Sequence, residues 1–153
     1  MTVRSRWTVG LVVLSVGLLG GAVFRAQQSK PAITVYKTAT CGCCSGWVDH
    51  LRTNGFDVKA IDVEDIQTVK NTYGVPASLS SCHTAVVGNY TIEGHVPADA
   101  VQRLLKERPA VAGIAVAGMP VGSPGMESGD RRDPYSIMSF TREGASAVFD
   151  RRP

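Results

Sequence analysis

The sequence predicts an α/β domain with a cysteine cluster at its first strand-to-helix turn. Three observations carry that expectation. Short alternating runs at residues 33–37 and 57–63 and a short apolar run at 84–87 are interleaved with runs of helical spacing. Stops at Asn54-Gly55, Gly74 and Pro109, and a helix-opening Pro97, separate them. The run Thr40-Cys41-Gly42-Cys43-Cys44 falls between the first strand and the first helix.

In the first strand, Ile33 and Val35 alternate with Thr34 and Tyr36. The helix after it is expected to begin at Thr40 and Cys41. Cys44, Trp47, Val48 and Leu51 share one face of it, and Asn54-Gly55 ends it. Residues 57–63 alternate again as a second strand, and a parallel pair joined through a helix takes a right-handed crossover. Residues 62–73 read as a second helix, with Ile66 and Val69 inward and Gly74 as the stop. Residues 84–87 form a third strand, Asn89 begins a turn, and residues 90–96 complete a hairpin. Pro97 opens a third helix, where its missing N–H costs nothing. Val101, Leu104 and Leu105 form the buried stripe of that helix, and Pro109 ends it. This order, βαβα followed by a β-hairpin and a helix over residues 33–108, is that of a thioredoxin-like domain. Residues 109–153 form an extension. Residues 118–127 are rich in Gly, Pro and Met and lack periodicity, so they read as loop. Residues 135–140 and 147–149 read as a C-terminal hairpin packed beside the main sheet. A loop of that length in a compact domain suggests a task or mobility.

Residues 1–28 look like export machinery. Arg4 and Arg6 precede an apolar run from Trp7 to Phe24 that reaches roughly 27 Å at about 1.5 Å per residue, just short of a comfortable span. A signal peptide cleaved near Gly20-Gly21-Ala22 is favoured over an uncleaved membrane anchor, and either over a buried core helix. Residues 29–32 are a linker. The domain beyond is then periplasmic, touching the membrane only through an uncleaved segment. The chain carries 16 Lys plus Arg against 13 Asp plus Glu. Arg4, Arg6 and Arg25 all precede Lys30, where no acid lies, so the remainder balances at 13 against 13. The basic excess belongs to the export segment and gives no support for nucleic-acid binding.

Cys41, Cys43, Cys44 and a distant Cys82 carry the chemistry. Three thiols within four residues cannot all pair with one another, and adjacent Cys43 and Cys44 would strain a mutual disulfide. Thiols at a helix N-terminus lose protons readily, and thiolate is the form that binds metal or attacks disulfides. Cys41 is expected to cap the helix, Cys43 to face out, and Cys44 to be the least exposed. In the expected topology the third strand lies beside the first, which brings Cys82 to the cluster. Zinc favours four ligands from well-separated pairs. A cramped cluster of four thiols suits Cu(I) better, including several ions bridged by shared thiolates. The alternative is a thiol–disulfide oxidoreductase or copper redox protein using Cys41-x-x-Cys44, with Cys43 or Cys82 resolving. A third class, an exported structural domain with two disulfides, fits the adjacent Cys43 and Cys44 poorly.

Four motifs occur in order: Thr40-Cys41-Gly42-Cys43-Cys44, Ser81-Cys82-His83-Thr84, Glu93-Gly94-His95-Val96-Pro97, and Gly118-Met119-Pro120 through Gly125-Met126-Glu127. Over residues 32–150 the chain resembles the CopG type of small exported, predicted metal-binding proteins of bacterial copper-resistance operons. The resemblance implies a thioredoxin-like fold, copper held by the four cysteines, and a role in periplasmic copper tolerance. An envelope copper exporter or oxidase is the partner such a role suggests.

Other candidates weigh less. His83 abuts Cys82 and could ligate copper or bond its thiolate. His95 is expected to cap or bond backbone, and His50 to face solvent. Met119 and Met126 are thioethers soft enough for Cu(I), though loop packing explains them more simply. Met138 and Trp47 read as core. Arg131-Arg132 and Arg151-Arg152 read as solvated surface. No Gly-rich phosphate loop and no Ser-His-Asp context is present, so whether the protein is an enzyme rests on the cysteines.

Overall fold

The computed structural model describes residues 30–153; the expected signal or anchor at 1–28, with the first linker residue, lies outside them. Strands β1 (Ala32–Lys37) and β2 (Asp57–Asp62) pair in parallel across helix α1 (Gly42–Thr53). Helix α2 (Ile66–Thr72) and a 3-10 turn at Ala77–Leu79 lead to β3 (Thr84–Val87), antiparallel to β1, and to β4 (Tyr90–Glu93). Helix α3 (Ala98–Glu107) returns the chain to β5 (Gly113–Ala115), which is parallel to β4. The antiparallel strands β6 (Tyr135–Phe140) and β7 (Ser146–Arg152) complete one seven-stranded sheet in the order β2-β1-β3-β4-β5-β6-β7. No helix among the described residues is long and apolar enough to cross a membrane.

Side chains alternate across the strands, so each face of the sheet carries its own helices. Ile33, Val35, Ala85, Val87 and Ile92 meet Trp47, Val48 and Leu51 of α1 and Val101 and Leu104 of α3 in one core. Burying each Leu, Ile or Val stabilises the fold by about 1.5–3 kcal/mol. Trp47 is fully buried, and its indole N–H donates to the Val96 carbonyl at 2.8 Å. On the other face, Tyr36, Thr84, Thr91 and Glu93 turn toward α2. The Tyr36 and Tyr73 hydroxyls lie 3.2 Å apart, and Thr91 donates to the Tyr73 carbonyl at 3.3 Å.

Several expectations need correcting. The second helix starts at Ile66 rather than near residue 62, because Asp65 caps it by accepting from the N–H groups of Gln67 and Thr68 at 2.8 and 3.3 Å. Ile66 and Val69 are only half-buried, and the buried residue of this helix is Lys70. The second hairpin strand ends at Glu93, since Gly94 turns with φ +70°. The extension after Pro109, expected to hold only loop and a C-terminal hairpin, contains a further strand, β5, which carries that hairpin into the main sheet instead of leaving it alongside. Met138 is half-buried, packed against Leu79, Ala115 and Phe140. Arg152 is not free surface, for it pairs with Asp99 at 2.6 Å and Asp150 at 3.3 Å.

Candidate metal centre

The cysteine run occupies the turn from β1 into α1. The Cys41 N–H donates to the Thr38 carbonyl at 3.1 Å, and Cys41 takes the N-cap position in extended conformation. Its sulfur makes no capping bond to the backbone. Cys41 and Cys44 are joined as a disulfide across one helical turn, with Cα atoms 5.3 Å apart. Cys43 and Cys82 are free thiols, each half-buried, while Cys44 is fully buried. Cys43 does not point away from the cluster: its sulfur lies 3.6 Å from that of Cys41 and 3.9 Å from that of Cys82. The Cys44 and Cys82 sulfurs are 3.5 Å apart, and all four fall within 4.8 Å of one another.

Cys82 is delivered to this point by a braced loop. The Glu93 carboxylate accepts the Ser81 N–H at 2.6 Å and the Thr84 hydroxyl at 2.7 Å, and it pairs with Lys70 at 2.5 Å. Glu93 is wholly inaccessible and Lys70 nearly so. Burial pushes the Glu93 carboxyl above its usual range, against the pull of Lys70. The Ser81 hydroxyl donates to the Gly118 carbonyl at 2.5 Å, tying the start of the long loop to the same place.

Two histidines stand behind Cys82. Its sulfur is 3.3 Å from Nδ1 of His83 and 3.1 Å from Nε2 of His95. His95 Nδ1 donates to the Pro124 carbonyl at 2.8 Å, so Nε2 carries no proton in the neutral ring. The His83 ring lies 4.4 Å from the Trp47 ring and meets His95 edge-on at 4.9 Å. His83 Nε2 is buried without a hydrogen-bond partner. Burial holds the His83 pKa well below its ordinary value, helped by His95 and Lys70. Burial also lowers that of His95, against the Pro124 carbonyl and Glu127. The Cys82 thiol is pushed up to about 12, chiefly by burial and then by Cys43.

The long loop has a definite task. Gly125, at φ +84°, lies against α1: a Cβ there would sit 2.6 Å from the Cys43 carbonyl oxygen and 2.7 Å from the Trp47 nitrogen. Gly46 answers it from inside the helix, where a Cβ would come within 3.1 Å of the Gly125 Cα. A glycine in a helix interior costs about 1 kcal/mol relative to alanine; here it admits the loop that carries Pro124 to His95.

The donor set fits a soft or borderline ion. Two thiolates on one ion, each about 2.3 Å from it, lie at most about 4.6 Å apart. The 3.5, 3.6 and 3.9 Å separations fall inside that limit. A four-thiolate set requires the Cys41–Cys44 disulfide to open. Among the other candidates, His50 is not solvent-facing, since its Nε2 accepts the Ala98 N–H at 3.1 Å and closes the N-terminus of α3. Met119 is exposed at the loop surface, and Met126 is half-buried in it. No local pattern announces the Lys70–Glu93 brace or the Pro124 contact. Gly46 within an otherwise regular helix was the one available signal of the loop.

A mixed α/β protein with cysteines gathered at a helix N-terminus, able to hold metal, is the class these features define. The family described as "Protein of unknown function, DUF411" matches residues 79–126. No curated protein matches the chain. Two solved structures of a copper resistance protein, copG, are similar to it. Form 2 is 48% identical with a TM-score of 0.78, and form 1 is 48% identical with a TM-score of 0.77. Each alignment covers 81% of this chain and 99% of the other. The chain belongs to the CopG family.

Proposed function

We propose that this is a periplasmic copper-resistance protein that holds Cu(I), with several bridged ions in one cluster, on Cys41, Cys43, Cys44 and Cys82. The observation that carries the reading is the convergence of four sulfurs within 4.8 Å from two remote segments of chain. Soft thiolates select Cu(I), and a bridging thiolate lets a small cluster take more than one ion. The thioredoxin-like reading is supported by the order β2-β1-β3-β4 and by cysteines at the start of α1. Export through the N-terminal segment places the cluster in the envelope, where an exporter or oxidase would receive the ion.

Copper is cargo here. The chain supplies thiolates, two neutral imidazoles beside Cys82 and a rigid frame. Binding displaces thiol protons, so affinity falls in acid. Anaerobic Cu(I) titration of the reduced protein against a chelator tests this: more than one tightly held ion is expected, with a thiolate-to-copper absorption band. At most one weakly held ion would sink the proposal. The second reading, a thiol–disulfide oxidoreductase, is favoured by the Cys41–Cys44 disulfide at a helix N-terminus. Rapid insulin reduction together with poor copper loading would establish it instead.

A further inference from the structure

Closing the Cys41–Cys44 disulfide removes two of the four sulfurs from metal binding, yet it leaves a second donor group intact. Cys82 Sγ and one ring nitrogen each of His83 and His95 lie within 4.8 Å of one another. The free Cys43 sulfur adjoins them, 3.9 Å from Cys82. We propose that the disulfide form of the protein has its own metal site, built from Cys82, His95 and His83, for one divalent borderline ion such as Zn(II) or Cu(II). This site shares Cys82 with the four-thiolate cluster but takes its other donors from His83 and His95, and it is read in the disulfide form, where that cluster cannot assemble.

Three features argue for ligation rather than incidental packing. A carbonyl oxygen can only accept, so Pro124 fixes the proton of His95 on Nδ1 and leaves the Nε2 lone pair facing Cys82 Sγ at 3.1 Å. A metal-binding imidazole characteristically has its other nitrogen tied to a carbonyl in this way. His83 supplies the second, independent sign. Its Nε2 is buried with no partner, an arrangement native interiors avoid, while its Nδ1 is held 3.3 Å from the same sulfur. Nothing pins the His83 proton to either nitrogen by a bond to Nε2, so Nδ1 can be freed for a ligand at no cost in hydrogen bonds there. Finally, the donor types are right. One thiolate with two imidazoles suits divalent copper or zinc, and Cys43 stands where a fourth ligand is needed. Cys82 and Cys43 are both half-exposed, which gives the ion a route inward. Binding displaces the Cys82 thiol proton; no electron transfer is involved.

The test uses the full-length protein, oxidised until alkylation counts two free thiols and peptide mapping assigns the disulfide to Cys41 and Cys44. It is titrated without oxygen with Co(II), a redox-inert reporter, and then with Zn(II). One equivalent of Co(II) is expected to bind with a thiolate-to-cobalt band, and Zn(II) to displace it. His95→Gln removes a ligand outright and is expected to weaken binding by about 100-fold or more, at least the upper end of what losing a ligand's outer partner costs. Cys82→Ser is expected to abolish the band. A Cys41→Ser/Cys44→Ser double variant, which can form neither the disulfide nor the four-thiolate cluster, is expected to keep the site. Because a histidine variant can fail to fold, imidazole nitrogen resonances of the wild-type protein provide a second readout: Zn(II) should shift His95 Nε2 and leave Nδ1 protonated. No cobalt band in the oxidised protein overturns the proposal, as does an unmoved Nε2 resonance. A band lost in Cys43→Ser but unchanged in His95→Gln overturns it too. The Cu(I) titration of the reduced protein is read separately, so either site can fail without the other.

Discussion

Replacing Lys70 by methionine is the most informative single change to the frame behind the cluster. Lys70 Nζ lies 2.5 Å from Glu93 Oε1 and 3.2 Å from the Thr84 hydroxyl, with side chains 3% and 0% exposed for the Lys70–Glu93 pair. Methionine preserves the apolar length of lysine but removes the cation. Glu93 keeps the Ser81 N–H and the Thr84 hydroxyl as donors, yet its charge is left buried without a counterion. Breaking such a pair from one side costs about 3–5 kcal/mol. At about 4 °C per kcal/mol for a domain of this size, the melting temperature should fall by about 12–20 °C. Scanning calorimetry of the reduced, metal-free protein at neutral pH measures it. The decisive comparison is Lys70→Met/Glu93→Gln. A neutral amide can still accept the Ser81 N–H, and buried ion pairs are often replaceable by neutral groups at little loss. The double variant should therefore recover most of the stability, with strong coupling between the two positions. A loss under 1 kcal/mol in Lys70→Met, or simple additivity in the double variant, would refute the claim that a paired charge sets the geometry of the Ser81–Cys82 loop.

Three further outcomes are expected. Gly125→Ala forces a left-handed backbone onto a β-carbon and drives it into the Cys43 carbonyl and Trp47 backbone nitrogen; chemical denaturation should show at least about 1–3 kcal/mol lost, and Co(II) binding by the disulfide form should weaken as His95 loses Pro124. The pKa of His50 is lowered chiefly by burial, against Glu127 and Asp99, so the unfolded chain takes up its proton first. Its share of stability is whole above about pH 6.5 and is lost as pH falls from there through the lower folded value. Since His83 and His95 act in the same sense, His50→Gln should flatten, not abolish, the fall in urea midpoint between about pH 7.5 and 5. Cys43→Ser should cut Cu(I) stoichiometry in a chelator competition while leaving the Cys41–Cys44 disulfide able to form and be reduced; the reverse outcome would move the function toward redox exchange.

How far the sequence discloses this structure depends on whether a residue's environment is local. The pattern of α1 was legible because Cys44, Trp47, Val48 and Leu51 bury one face of a single helix. β3 was legible because its apolar run has nowhere to go but a sheet interior. The approach of Cys82 followed from topology, since β3 pairs with β1 and so enters beside the N-terminus of α1. β5 escaped notice: it is three residues long, begins with glycine and is buried on both sides, so it has no alternation to read. Lys70 escaped for a different reason. A lysine on a short helix reads as solvated, and only Glu93, 23 residues away, makes its burial affordable. His50 caps a helix 48 residues further on, a relation invisible to any local window.

The arrangement also bears on how a disulfide pair and the proposed metal sites share one end of the fold. In the oxidised state Cys41 and Cys44 are bonded, and the Cys43 sulfur stands 3.6 Å from Cys41, close enough to exchange with it. A dedicated oxidoreductase gains nothing from a third thiol in that position, because it diverts the mixed disulfide. A cation-binding cluster needs it, since three closely spaced sulfurs at one helix end and a fourth on a braced loop can share ions. Cys82 adds the asymmetry: it alone faces both the sulfur group and the imidazoles. Under the two proposals, reduction would convert an environment of Cys82, two imidazoles and the adjoining Cys43 into one dominated by sulfur, and the favoured ion would move from borderline to soft. The brace through Glu93 and the loop through Pro124 hold Cys82 and His95 in place in the disulfide form. If both proposed sites hold, the redox state of the Cys41–Cys44 pair would select between a sulfur-rich site for a soft ion and a mixed sulfur–imidazole site for a borderline one.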